Sequence, residues 1–344
     1  MVALSEYVPT GSHYKNASCI IGVDVAVDVA TKNLLAQIAA LGERPLHRMT
    51  VDEARAFPTR LARGKGTLPA DRREMSSVSD QVIAVSGGNI RVRLLVPRGS
   101  VRAVVVYYHG GGWVLGGIEQ SELFGRFLAD TTGCAVALVD YRLAPEHRFP
   151  TAVNDAWAAL LWVHEHIERI AGSAAPLIVG GDSAGGTLAA VVTHRAREAA
   201  HPRIALQLLV YPATDSNFNR DSYLNSENQL LVTRETIIWF WNHYDPNRSA
   251  RTDIEAVPLH APNLAELPPA IVVTAEHDPL RDEAIEYADR LRQAGVAVVS
   301  RHYEDQMHGF FTLFGVLPAS RSALDFVADE IVHFLTTTAK EISR

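Results

Sequence analysis

Apolar residues fall along this chain in two textures. Near the N-terminus they recur at helical spacing: Val29, Leu34, Leu35, Ile38 and Leu41 lie close to one face of a helix over Val27–Gly42, with Gly42 placed to cap its end. Thr50 and Glu53, three residues apart, form a capping-box pattern that starts a second helix. From Val78 onward the texture changes. Residues 81–97 alternate around Gly87-Gly88 and predict an antiparallel hairpin. After it, short runs of Val, Ile and Leu (residues 103–109, 134–141, 175–181, 204–212, 269–276 and 296–303) alternate with helical segments (121–133, 152–170, 187–200, 283–295 and 319–337). Strands apolar on both faces that alternate with helices predict an α/β fold, a mostly parallel central sheet covered on both sides.

Residues 213–253 break the alternation. They supply no clear strand and are too long for an ordinary connection. Their best helix, Thr233–Tyr244, carries Ile237, Ile238, Trp239, Phe240 and Trp241 in succession, and a helix apolar nearly all round has to be covered on several sides. This predicts a cap over the sheet. The organisation expected is N-terminal cap helices over 1–60, a cap insertion over 213–253, and a catalytic α/β domain made of 61–212 and 254–344. No internal repeat or low-complexity tract interrupts it.

Composition narrows the partners. A hydrophobic fraction of 47% over 344 residues suffices for a large core. Net charge is −7 and the basic residues are scattered; the denser runs at Arg60–Lys65 and Asp71–Glu74 read as solvated helix surface, so nucleic acid is not an expected partner. Cys19 and Cys134 are too few for a disulfide framework and are expected as free thiols. No run of about 18 uncharged apolar residues exists. The nearest thing to a signal core, residues 17–30, is interrupted by Asp24 and Asp28 and preceded only by Lys15. A soluble, cytoplasmic protein without a membrane partner is expected, its first ~20 residues lying loosely on the surface or partly disordered.

Two glycine-rich turns carry the chemistry. His109-Gly110-Gly111-Gly112 follows the apolar run Val104–Tyr108. A nucleotide-phosphate loop would need a Gly-Lys-Ser/Thr ending, and a dinucleotide fingerprint would need glycine where Leu115 stands. What remains is an anion hole of backbone N–H groups, or a plain turn. The second motif, Gly181-Asp182-Ser183-Ala184-Gly185, lies between a strand and a helix, the nucleophile-elbow arrangement. Alone it is weak, since a chain of this length matches it by chance about one time in ten. Both motifs together, each at a strand's end and in this order, are specific.

A serine nucleophile needs a base, and the base needs a carboxylate to hold its tautomer. In this architecture they follow in the order acid, then histidine, each after a strand. Among Glu276, Asp278, Asp282 and Glu283, Asp278 stands at the strand's end, whereas Asp282 and Glu283 enter the next helix, where helix-start electrostatics accounts for them. Of His302 and His308, the first belongs to the strand and the second precedes Gly309 in a loop. Ser183, Asp278 and His308 are therefore the catalytic candidates. No metal and no cofactor is called for.

The segments HGGGW, DYRLAPEHRFP, GDSAGG, DPLRDE and MHGF together resemble the hormone-sensitive-lipase-like family of α/β-hydrolases, the bacterial esterases with an HGGG motif, a resemblance that covers the chain from about Pro69 to Phe334. The resemblance implies a carboxylester hydrolase acting on a small-molecule ester with that triad. It implies an oxyanion hole of the N–H groups of Gly111, Gly112 and Ala184, a cap closing the acyl pocket, and a homodimer through the strand Val296–Tyr303. The approach YEDQMHGF departs from the Pro-Gly turn more usual in the family. Non-catalytic relatives on this fold, such as the gibberellin receptors, lack a working triad, whereas His308 is present here. Amide, lactone and carbamate bonds stay open, because a triad and hole suit any acyl transfer.

The remaining residues receive structural readings. His109 is expected to hydrogen-bond the glycine loop's backbone. Trp113 and Phe310 flank the catalytic loops and either line the substrate pocket or pack in the core. Trp239 and Trp241 are expected as cap core, with a pocket-lining role for one of them as the alternative. Asp140, Arg142 and Glu146 form a structural network, and His164 and His166, at i and i+2 on a helix, point apart and do not make a metal site.

Overall fold

The computed structural model describes residues 25–56, 73–247 and 251–342. The loosely held first ~20 residues, Cys19 and the Arg60–Lys65 run lie outside the described residues.

Eight strands form one sheet: β1 (Ser77–Val85), β2 (Gly88–Val96), β3 (Val104–Tyr108), β4 (Ala135–Asp140), β5 (Leu177–Asp182), β6 (Ile204–Val210), β7 (Ala270–His277) and β8 (Val298–Met307). Their order is β1-β2-β4-β3-β5-β6-β7-β8. Only β2 runs against its neighbours; every other pairing is parallel. The described helices are α1 (Val29–Ala40), α2 (residues 51–56), α3 (Ile118–Thr132), α4 (Thr151–Glu165), α5 (Ile167–Ala171), α6 (Ala184–Glu198), α7 (Asp221–Leu224), α8 (Arg234–Tyr244), α9 (Arg281–Gln293) and α10 (Pro318–Ile342).

Strand β3 shows why both faces are apolar. Val104, Val106 and Tyr108 enter one core with Leu160 of α4, Leu188 of α6 and Leu291 of α9. Val105 and Tyr107 enter the other with Phe127 of α3 and Leu324 of α10. Each such side chain, removed from water, contributes roughly 1.5–3 kcal/mol. Parallel strands put all their carboxyl ends at one edge, which gathers the loops after β3, β5, β7 and β8 into one place.

The capping box forms as expected: the Thr50 N–H donates to Glu53 Oε2 (2.8 Å) and the Glu53 N–H to Thr50 Oγ1 (3.3 Å). Two expectations are corrected. The helix expected over 152–170 breaks at His166, whose backbone (φ −108°, ψ 12°) ends α4 before α5 begins. The strand expected to stop at Tyr303 runs on to Met307, so His308 follows the strand directly. Glu304 and Asp305 look like loop residues because they are exposed, but on an edge strand exposure is compatible with pairing. The N-terminal segment supports this extension: the Asp28 N–H donates to the Asp305 carbonyl (3.2 Å), and Gln306 Nε2 donates to Asp28 Oδ2 (3.1 Å).

The 213–253 segment carries no strand among its described residues, only α7, a short 3₁₀ turn at Ser226–Asn228, and α8. Trp241 and Tyr244 of α8 are buried, and both meet Trp113, Tyr244 by stacking at 4.2 Å between ring centroids. Trp239 is half-buried and packs against the same core. The expected DYRLAPEH network separates into three ion pairs to three different elements. Asp140 pairs with Arg91 of β2, Arg142 with the buried Asp155 of α4, and Glu146 with Arg55 of α2. Cys134 is a free, buried thiol, and burial pushes its pKa up. No helix among the described residues is long and apolar enough to cross a membrane.

Candidate active site

Ser183 occupies a left-handed backbone conformation (φ 54°, ψ −121°) between the end of β5 and the first residue of α6. Such a conformation costs a serine of order 1–3 kcal/mol and persists only where neighbours enforce it. Here the Ser183 N–H donates to the Val210 carbonyl (2.8 Å). The flanking glycines are sterically required. A Cβ at Gly181 would lie 2.2 Å from the Gly185 carbonyl oxygen, and one at Gly185 would lie 2.0 Å from that of Tyr108. Strand and helix close so tightly around Ser183 that only hydrogen fits on either side.

His308, at the end of β8, brings Nε2 to 3.1 Å from Ser183 Oγ and Nδ1 to 2.8 Å from Asp278 Oδ2. Asp278 is fully buried, and its other oxygen accepts the Leu280 N–H (2.7 Å). With Nδ1–H donating to the carboxylate, Nε2 is left as the acceptor for the serine hydroxyl. The His308 N–H donates to the His277 carbonyl (3.2 Å), and its ring lies against Tyr211 with centroids 4.5 Å apart.

The glycine loop enters from β3. Gly111 (φ 112°) and Gly112 (φ 59°) adopt backbone conformations that side chains disfavour. A Cβ on Gly111 would also meet the Leu115 carbonyl at 2.3 Å, and one on Gly112 would run into the ring of Phe240 at 2.1 Å. The Gly110 N–H is already committed, donating to Asp182 Oδ1 at 3.0 Å. Among the described residues no backbone or side-chain acceptor takes the N–H groups of Gly111, Gly112 or Ala184. His109 keeps the place expected of it: its Nδ1 is 2.7 Å from the Gly110 carbonyl oxygen, its ring stacks on Tyr141, and burial lowers its pKa.

Three features of the site were not evident in the sequence. Phe240 of α8 rests directly on the glycine loop. Asp182 is buried, and burial pushes its carboxyl up to about 6 although Tyr107 and Gly110 donate to it. Glu283 does stand in the first turn of α9, but it is fully buried. Its Oε1 accepts the N–H groups of Thr214 (2.9 Å) and Asp215 (3.2 Å), and burial raises its carboxyl well above the usual range. It ties the segment after β6 to the start of α9, just past Asp278, and Ser222 Oγ, donating to the Pro279 carbonyl (2.7 Å), adds a second tie. Any of these would have required knowing a partner far away in sequence.

Trp113 and Phe310 flank the site. Trp113 is stacked on Tyr244 of α8 and Phe310 is packed against Tyr211 and Tyr303. His164 and His166 diverge, to His201 and Trp162 respectively. No group of three or more His, Cys, Asp or Glu among the described residues is arranged to hold a metal ion. A broad groove lined by Pro176, Leu177, Ile204 and Pro268 lies at the opposite ends of the strands, away from Ser183.

A hydrogen-bonded Ser–His–Asp line at the carboxyl edge of this sheet, beside three uncommitted N–H groups, defines the class of serine hydrolases built on the α/β-hydrolase fold. The family model described as the alpha/beta hydrolase fold matches residues 105–312, and the chain belongs to that family, in its hormone-sensitive-lipase-like branch. The chain is 40% identical over 223 residues to carboxylesterase NlhH of Mycobacterium tuberculosis, covering 64% of this chain and 70% of that protein. It is 32% identical over 299 residues to an ethyl acetate hydrolase of Pseudomonas putida (85% and 92% covered). Among solved structures, an ester hydrolase from the metagenome of Lake Arreo superposes with a TM-score of 0.81 at 36% identity, covering 89% of this chain and 98% of that one. A thermostable esterase from Pseudomonas putida ECU1011 gives 0.82 at 34% identity (90% and 98%).

Proposed function

We propose that this carboxylesterase hydrolyses short- to medium-chain carboxylic esters through an acyl-enzyme on Ser183. The single observation carrying the reading is the position of His308, within hydrogen-bond reach of both Ser183 Oγ and Asp278 Oδ2. Ser183 Oγ attacks the ester carbonyl carbon while its proton passes to His308 Nε2. Asp278 holds the ring and stabilises the imidazolium. The carbonyl oxygen, now negative, is met by the N–H groups of Gly111, Gly112 and Ala184. Collapse breaks the bond to the alkoxide, which takes the proton from His308. Water then repeats the sequence and releases the acid. Esters of p-nitrophenol tested beside their anilides check the bond class: comparable kcat/KM on the anilides would contradict the ester assignment.

The base accepts the serine proton only as neutral imidazole, so kcat/KM is expected to be lower in acid than at neutral pH. EDTA is expected to leave activity unchanged; loss on chelation and recovery with a divalent ion would contradict the mechanism.

Substrate length follows from the cap, which in this reading combines residues 1–60 with 213–253. Arg55 of α2, donating to the carbonyls of Val114 and Ala144 (both 3.0 Å), and Phe240 of α8, seated on Gly112, support it. A roofed pocket rewards each added methylene by about 0.8 kcal/mol until its end is reached. Efficiency is expected to rise from acetyl to butanoyl or hexanoyl and to fall beyond about ten carbons. A maximum at twelve or more would show an open groove instead.

A homodimer through β8 and a cytoplasmic location complete the proposal. The former is supported by the exposed edge at Val299–His302 and tested by sedimentation, where a monomer at micromolar concentration would contradict it. Cell fractionation tests the latter.

A further inference from the structure

Three adjacent glycines have almost no conformational preference of their own, so a loop built from them points its N–H groups wherever its anchors hold it. The anchors are on view. The Val114 and Leu115 N–H groups donate to the Gly111 carbonyl (3.1 and 2.9 Å), closing the loop's far end. At its near end the Gly110 N–H donates to Asp182 Oδ1 (3.0 Å), and the same oxygen accepts the Tyr107 hydroxyl (2.9 Å).

We propose that Asp182, the residue before the nucleophile, is the positioning residue of the oxyanion loop, clamping the Gly110 peptide to the elbow so that the N–H groups of Gly111 and Gly112 converge with that of Ala184. This rests on the reading of Ser183 as nucleophile and of those N–H groups as the hole. Asp182 is the last residue of β5, so its side chain starts from the same rigid turn that presents Ser183. It is 6% exposed and forms no ion pair among the described residues. Gly110 lies flat against it: a Cβ there would fall 2.2 Å from Oδ2 and 3.0 Å from the Asp182 carbonyl oxygen. A buried carboxylate without a cation is costly, and bonds to an ionised acceptor are about twice as strong as neutral ones, so a loop held this way is held firmly. Tyr107 supplies the second donor from β3, the strand that delivers the loop. One oxygen thus joins the strand before the loop, the loop's first peptide and the nucleophile's own turn.

The role separates from general structural support because it acts on the tetrahedral state more than on the bound ester. The test compares full-length wild type, Asp182→Ala, Asp182→Asn and Tyr107→Phe. It measures kcat and KM on p-nitrophenyl butanoate per active site titrated with a p-nitrophenyl phosphonate, the Ki of a trifluoromethyl ketone, and Tm. The ketone adds to the nucleophile as a tetrahedral species whose oxyanion needs the hole. Losing one hole donor outright costs about 10²–10³ in kcat, so a loop set loose is expected to cost about 10- to 100-fold in Asp182→Ala. KM is expected to stay within about threefold and the ketone's Ki to rise by the same factor as kcat falls. Asp182→Asn keeps an acceptor oxygen and is expected within about tenfold of wild type; Tyr107→Phe is expected between the Asp182→Ala and wild-type values. Folded Asp182→Ala with kcat within threefold of wild type would overturn the proposal. So would a loss of kcat that leaves the ketone's Ki unchanged. If Asp182→Ala does not fold, Tyr107→Phe carries the test with its own expectation: it removes one of the two donors to Asp182 Oδ1 and is expected to lose about 3- to 10-fold in kcat with the ketone's Ki rising by the same factor, and a rise in KM alone would overturn the proposal. Failure of the phosphonate to label Ser183 in wild type would defeat the nucleophile assignment itself, a result distinct from labelled enzyme in which the variants show no effect.

Discussion

Replacing Ser183 by alanine is expected to lower kcat by several orders of magnitude, on the order of 10⁴- to 10⁶-fold, while leaving the fold intact. In the proposed mechanism the hydroxyl is the atom that bonds to the acyl carbon, and the elbow's backbone conformation is held by Gly181, Gly185 and the Val210 hydrogen bond, none of which the substitution touches. His308→Ala is expected to cost a comparable factor. The double variant should be little worse than either single one, because serine and histidine act as a unit. The residual rate would come from substrate binding and the uncommitted N–H groups. Ser183→Ala retaining more than about a tenth of wild-type kcat would mean that another group is the nucleophile.

The second large effect is expected from Asp278→Asn, an isosteric change that reverses a proton instead of deleting a group. Asp278 is fully buried, with one oxygen accepting the Leu280 N–H and the other accepting from His308 Nδ1. An asparagine in the same place keeps its oxygen toward the Leu280 N–H, because an NH₂ group there would face another donor. Its NH₂ then faces His308 Nδ1, which must become the acceptor. The proton moves to Nε2, and Nε2 can no longer take the serine's proton. A loss of about 10³- to 10⁴-fold in kcat is expected, with KM and Tm little changed. Kinetics and a melting curve check it; near-wild-type turnover would show that Asp278 does not set the tautomer.

The parts of this molecule that were legible in its sequence are those that a strand's end makes local. Continuous apolar runs between helices imply a parallel sheet, and a parallel sheet gathers its carboxyl ends. The glycine loop, Ser183, Asp278 and His308 could therefore be brought together without knowing any contact between them. Gly181 and Gly185 were legible for a steric reason confirmed atom by atom at the elbow. What was not legible depends on partners distant in sequence. Glu283 looks like an ordinary acidic residue at a helix start until Thr214 and Asp215 donate to it. Phe240 is one of five bulky residues in a row, and only the packing of α8 selects it to rest on Gly112. Glu304 and Asp305 read as loop because their side chains are polar, yet they lie within β8, between Tyr303 and Met307, which pair with Ala275 and His277 of β7 across a register shift. Asp140, Arg142 and Glu146 sit close together in sequence and suggested one network, but their three arginine or aspartate partners lie on three different elements.

The central claim is that Ser183 is the nucleophile, and covalent trapping tests it most directly. One equivalent of a p-nitrophenyl alkylphosphonate is mixed with the enzyme, p-nitrophenol release and residual activity are followed together, and the digested protein is read by mass spectrometry. The expected result is release of one p-nitrophenol per active site, activity lost in proportion, and the phosphonyl mass on the peptide bearing Ser183 alone. Full inactivation with the label on a different residue, or a labelled Ser183 in an enzyme that still turns over at its original rate, would contradict the assignment.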